Sequence, residues 1–152
     1  MPYFDPGEVV GQFAKYLQRD VREAIDDEKF VKAQVGSMSS SLTFLGRELG
    51  GMHVAVNTQR RRLVDALDDL EQALEDGEIH SDAVAETVAS ARERVADADG
   101  RPYEMERELT ASANEVLDSI NEELSGAEAH RARQPLYDYM ETRVQTQLDL
   151  LR

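Results

Sequence analysis

Apolar residues recur along this chain at spacings of three and four, in runs separated by Gly, Pro and clustered acids. That spacing places them on one face of an α-helix. The first run is Val10, Ala14, Leu17, Val21 and Ala24. It follows Asp5-Pro6-Gly7-Glu8, where an N-cap acid, a Pro at the first helical position and an acid in the first turn predict a helix start. A second run, Val31, Val35, Met38, Leu42, Leu45 and Leu49, keeps the register of the first, because Val10, Leu17, Ala24, Val31, Met38 and Leu45 are each seven apart. Two readings compete here. One is a single helix from Pro6 to Leu49, long enough to serve as a coiled-coil strand. The other is a break at Asp26-Asp27-Glu28. Three acids oppose the dipole of a preceding helix, whereas Asp27 as N-cap and Glu28 in a new first turn favour the next one. The break is preferred, although neither Gly nor Pro marks it.

Gly50-Gly51 is expected to end the second segment. A third helix then carries Met52, Val56, Leu63, Leu67, Leu70 and Leu74 and closes at Gly77. Ser81-Asp82 caps a fourth, with Val84, Val88, Ala91 and Val95, before Gly100. Pro102 opens a fifth, with Met105, Leu109, Val116, Ile120 and Leu124, which Gly126 ends. A polar linker around His130 is expected to lead to a last helix starting at Pro135, with Leu136, Met140, Val144, Leu148 and Leu151. No window alternates as a strand would. The pattern predicts an all-α fold: an antiparallel bundle of five or six amphipathic helices, forming one domain over residues 1–152.

Composition narrows the chemistry. Without cysteine there are no disulfides, thiolate metal sites or cysteine nucleophiles. The opening Met1-Pro2-Tyr3-Phe4 has no basic, then apolar, run of the signal-peptide kind, and no stretch of about 18 apolar residues exists to span a membrane. A cytoplasmic location is expected. Thirty-one acids against seventeen bases give a net charge of −14, and both halves of the chain share the excess. Only Lys15, Lys29 and Lys32 are lysines. An acid-rich, lysine-poor composition resembles that of proteins from salt-accumulating archaea, whose crowded carboxylates repel one another in dilute buffer and are screened in concentrated salt. The alternative is an ordinary acidic protein from a GC-rich genome.

Few residues suggest a site. The predicted second helix contains Gly36, Ser37, Ser39, Ser40 and Ser41. A Gly within a helix costs roughly 1 kcal/mol against Ala, so something is expected to compensate at Gly36. Gly36, Ser37 and Ser40 form a candidate face either for close helix packing or for a ligand or partner approaching the backbone. Arg60-Arg61-Arg62 stands out in so acidic a chain. With His53 and Asn57, Arg60 and Arg61 form a candidate polar stripe for a phosphate, a carboxylate or an acidic helix. The bland reading is a solvated face in which Arg61 and Arg62 pair with Asp65. Consecutive helical residues also point about 100° apart, so the three arginines do not share one site. His53, His80 and His130 lie in none of the Glu-x-x-His or His-Glu-x-x-His patterns of metal-binding helices. Glu78 and His80 are the nearest approach to a ligand pair. No metal, cofactor or catalytic residue is expected, and the excess of negative charge argues against nucleic acid as a partner.

Four stretches, Glu8-Val9-Val10, Tyr16-Leu17-Gln18-Arg19-Asp20-Val21, Phe30 to Val35, and Leu45-Gly46-Arg47-Glu48-Leu49, resemble a family of small helical proteins of unknown function. Its members are encoded beside aminoglycoside-phosphotransferase-like kinases and acyl-CoA dehydrogenases. Where that family has Arg followed shortly by Asn, this chain has Gln34 and Met38, so no site using those residues carries over. The resemblance implies an accessory role in acyl-group metabolism without naming a substrate.

Three functions of different classes follow. The heptad stripes favour a non-enzymatic helical module that binds another protein or pairs as a homodimer. The family resemblance points instead to an accessory or ligand-binding subunit for an acyl-CoA-linked enzyme. An amphipathic coat on lipid or polymer granules is the third, and the acidic polar faces count against it.

Overall fold

A computed structural model describes residues 5–152, so the reading of Met1 to Phe4 lies outside the described residues. The described residues form an all-α helical bundle, 88% helical. Helix α1 comprises an α segment Pro6–Tyr16, a π-helical turn Leu17–Val21 and a last short segment Arg22–Ala24. It is followed by α2 (Lys29–Glu75), α3 (Asp82–Asp97), α4 (Pro102–Glu123) and α5 (Gly126–Leu151). Among the described residues there is no strand, and no helix is long and apolar enough to cross a membrane.

The punctuation in the sequence sets most of these boundaries. The Asp5 carboxylate accepts the Gly7 and Glu8 amides at 2.8 and 3.4 Å, with Pro6 as the first helical residue. Helix α1 ends where the acids were expected to break it, with Ile25 extended and α2 starting at Lys29. At the far end of α2, Gly77 takes φ 71° and the Glu78 amide donates back to the Ala73 carbonyl at 2.9 Å. This left-handed C-cap satisfies carbonyls that the helix end leaves unpaired. Ser81 caps α3 by accepting the Val84 amide at 3.2 Å.

Two expected boundaries are corrected. Gly50-Gly51 does not end a helix, because α2 runs through it to Glu75. Packing excludes a side chain at Gly51 and, on the facing helix, at Gly7. A Cβ on Gly7 would lie 2.6 Å from the Gly46 carbonyl oxygen and 2.6 Å from the Gly50 nitrogen, and a Cβ on Gly51 would collide with the Leu150 side chain. Pro135 does not start a helix, nor is His130 in a linker, since α5 contains both. Pro135 has no N–H to donate to the preceding turn. Ala129, Ala132, Leu136 and Tyr139, buried on either side of it, hold the helix in one piece.

The chain divides into two compact units: residues 54–147, and residues up to 53 together with 148–152. In the first, the later part of α2 and most of α3, α4 and α5 run antiparallel. The pairs Arg92–Asp68, Thr87–Ser119, Arg133–Asn121 and Arg62–Asp138 fix this order. Leu63, Leu67, Val84, Val88, Leu109, Val116, Ile120 and Leu136 are fully buried there. In the other unit, α1 lies antiparallel against the first part of α2, and Leu150 and Leu151 of α5 reach Gly51 and Arg47. We call this second body the hairpin unit and the first the four-helix unit.

Candidate functional site

The hairpin unit is built on glycine. Gly7 and Gly11 are four apart on α1, and Gly46 and Gly50 are four apart on α2, so each pair lies on one face of its helix. A Cβ on Gly46 would stand 3.0 Å from the Gly7 carbonyl oxygen and 3.2 Å from the Gly11 nitrogen, so the two backbones meet there directly. The Gly-x-x-x-Gly spacing on both helices was the sequence signal for this contact, and attention to Gly36 alone passes over it. Further along, the buried Ser39 hydroxyl donates to the Ala14 carbonyl at 2.8 Å, just before α1 widens into its π turn.

That turn positions a cleft. A π turn takes an extra residue, so side chains beyond it are rotated from where an uninterrupted α-helix would put them. Gln18 and Arg22 thereby face Ala33, Gly36, Ser37, Ser39, Ser40 and Thr43 of α2 across a cleft of about 660 Å³. Gly36, Ser37 and Ser40 therefore come together as cleft wall. No backbone presses on Gly36. A Cβ there would meet the Arg22 side chain, with Nε at 3.5 Å and Cζ at 3.7 Å, so the guanidinium lies over the glycine. The Arg22 Nε is buried and has no hydrogen-bond partner. Ser37, Ser40 and Thr43 donate to the carbonyls of Ala33, Gly36 and Ser39 in their own helix, at 3.2, 3.1 and 2.9 Å.

The second set of candidate residues divides differently. His53 is exposed and belongs to the hairpin unit, while Asn57, Arg60 and Arg61 belong to the four-helix unit. Arg60 donates to the Ala96 carbonyl near the end of α3, where a cation meets unpaired carbonyls and the negative end of the helix dipole. Arg62 reaches Asp138 at 3.3 Å, not Asp65, and Arg61 is exposed. The arginines thus point to different neighbours. Glu78 and His80 also part company: Glu78 pairs with Arg131 at 3.5 Å and His80 with Glu128 at 3.1 Å. The His80 hydrogen bond holds the Glu128 carboxyl below the usual carboxylate range. Among the described residues no three His, Asp or Glu side chains gather as a metal site.

The four-helix unit contains a buried polar cluster that periodicity could not reveal. Glu106 is almost fully buried, and its Oε1 accepts from Gln147 at 2.7 Å and Gln59 at 3.4 Å, with the Arg143 Nε 3.4 Å away. Gln59 is fully buried, donates to Thr146 at 2.9 Å, and leaves its Oε1 without a partner. Burial pushes the Tyr139 phenol up. Thr110 draws it slightly back, although neither hydroxyl reaches a hydrogen-bonded geometry. A 290 Å³ cavity lined by Glu106, Arg107, Thr110, Asn114 and Arg143 opens beside this cluster. At the surface, Arg94 bridges Glu108 and Glu115. Its hydrogen bond to Glu115 lowers that carboxyl and raises the guanidinium in turn.

Apolar exposure divides unevenly between the units. Among the described residues 23 apolar side chains are buried, and of these Ala14 and Met52 alone belong to the hairpin unit. Of the 15 large apolar side chains exposed among the described residues, 11 belong to it, with Phe30 at 72%, Phe13 at 60% and Met38 at 55%. Charge divides too, for the four-helix unit carries 22 acids against 10 bases and the hairpin unit 9 against 7. From Lys29 to Arg47 there is no acid at all. No protein-family model matches the chain, and neither a curated protein nor a solved structure does.

Proposed function

We propose that the protein is a non-enzymatic interaction module whose hairpin unit pairs with a second copy of the same chain. The observation that carries this reading is the uncovered stripe Val31, Met38, Leu45 and Leu49 on α2, together with Phe30 and Phe44. A contiguous apolar face of this kind marks an interaction surface, and its spacing of seven suits a helix–helix seam. Second copies are favoured over other occupants by charge. Most surfaces of so acidic a chain would repel their own image, but Lys29 to Arg47 presents no carboxylate to its counterpart. Molar salt screens the remaining repulsion.

The test is light scattering after gel filtration in molar KCl, where twice the 17.1 kDa chain mass is expected. Phe30→Ser combined with Met38→Ser should return the monomer with helicity unchanged. A wild-type monomer at high concentration refutes the reading. A ligand-binding accessory subunit is the second reading, and the Arg22 cleft favours it.

A further inference from the structure

Among the described residues three arginines, Arg22, Arg94 and Arg143, have a buried Nε with no hydrogen-bond acceptor. Arg62, Arg92, Arg94, Arg131, Arg143 and Arg152 each hold a carboxylate. Among the described residues Arg22 forms no ion pair, and its Nε is buried with no acceptor. A buried donor left unpaired is costly, typically by about as much as a hydrogen bond to a charged group contributes. None of the eight residues lining its cleft is acidic, although one residue in five of the chain is. The cleft is thus a local exception to the negative field around it.

We propose that this cleft binds a small oxyanion, phosphoryl or carboxylate, on the Arg22 guanidinium. Arg is suited to the task because its planar fork presents two parallel donors to such a group. The walls say more about the ligand. Ser37, Ser40 and Thr43 spend their hydrogens on backbone carbonyls, so their remaining lone pairs accept from a ligand. A cleft of about 660 Å³ is far larger than one ion. The occupant is therefore an anionic small molecule that also carries hydroxyl or amino donors. The guanidinium lies over Gly36 at ordinary van der Waals distance from where a Cβ would stand, and the π turn aims Arg22 into the cleft.

The experiment follows the Arg22 Nε–Hε signal by NMR during titration with potassium phosphate and, separately, potassium acetate. KCl is adjusted to hold ionic strength constant. A saturable shift is expected with at least one anion, and the one that saturates at lower concentration identifies the head group. Arg22→Gln should abolish the saturable response seen at the Ser37 and Ser40 amides. Arg22→Lys keeps the charge and most of the stem but removes the fork, and should weaken binding by at least about tenfold. Light scattering on the same samples reads assembly separately, so loss of pairing is not mistaken for loss of the site. The proposal is overturned if neither anion saturates, if Arg22→Gln responds like the wild type, or if Arg22→Lys binds with unchanged affinity.

Discussion

Substituting Ala for Gly should have opposite effects at two positions of the same contact. At Gly7 the new Cβ would lie 2.6 Å from the Gly46 carbonyl oxygen, 2.6 Å from the Gly50 nitrogen and 2.8 Å from the Gly50 Cα. These are backbone atoms and cannot swing aside, so α1 must lift off α2. Forcing a methyl into a closed contact costs about 1–3 kcal/mol. The usual gain in helix propensity is small at Gly7, which lies in the first turn. At Gly50 nothing stands within 4 Å of the position a Cβ would take. There the propensity term acts alone in a helix interior, and Ala should stabilise by up to about 1 kcal/mol. For a chain of this size a kcal/mol moves Tm by about 2–4 °C. Because both substitutions fall in the hairpin unit, hydrogen exchange of the amides around Ala14 and Ser39 is the sharper assay, with circular dichroism melts beside it. Exchange should quicken in Gly7→Ala and slow in Gly50→Ala. Shifts of the same sign would refute the packing argument.

Other outcomes follow from the four-helix unit. Its 22 acids against 10 bases imply that Tm rises from 0.1 M to molar KCl, as the Debye length falls from about 10 to about 3 Å; a flat series would count against salt adaptation. Glu106→Leu should cost about 1–3 kcal/mol by removing the acceptor of Gln147 and of the second Gln59 N–H, measurable by chemical denaturation. Burial raises the Tyr139 phenol, so its neutral form is favoured in the folded chain, with no effect well below the ordinary tyrosine value and a stability loss as pH climbs beyond it. Tyr139→Phe should remove that alkaline loss, as melts compared at neutral and high pH would show. Pro135→Ala restores a helical N–H and should raise Tm; a fall would mean that the ring packs better than the hydrogen bond it displaces.

Helix starts were legible wherever a side chain caps them, as at Asp5 and Ser81, because the capping interaction is local. The break before Lys29 was legible from the run of acids at Asp26-Asp27-Glu28, which opposes the dipole of the preceding helix. The passage of α2 through Gly50-Gly51 was not, because propensity describes an isolated helix and Gly7 supplies a contact from another one. Pro135 misled in the same way, for its neighbours' burial outweighs one absent hydrogen bond. Gly36, Ser37 and Ser40 stood out in the sequence. Their facing residue, Arg22, did not, because a π turn sets its direction and periodicity assumes an unbroken α-helix. The Glu106 cluster lay hidden for a related reason. Charged and amide residues read as solvent-facing until the fold encloses them.

The hairpin unit is discontinuous in sequence, since α1 and the start of α2 are joined in it by residues 148–152. During synthesis its first two helices emerge early, and Leu150, which rests on Gly51, only after the whole four-helix unit has been made. The intervening segment has its own buried core and can fold meanwhile. Phe13, Phe30 and Met38 are exposed in the folded chain as well, so the late residues complete the Gly51 contact and leave that apolar face open. Residues 148–152 act as a latch on the early helices, and the hairpin unit is completed only once the four-helix unit has been made.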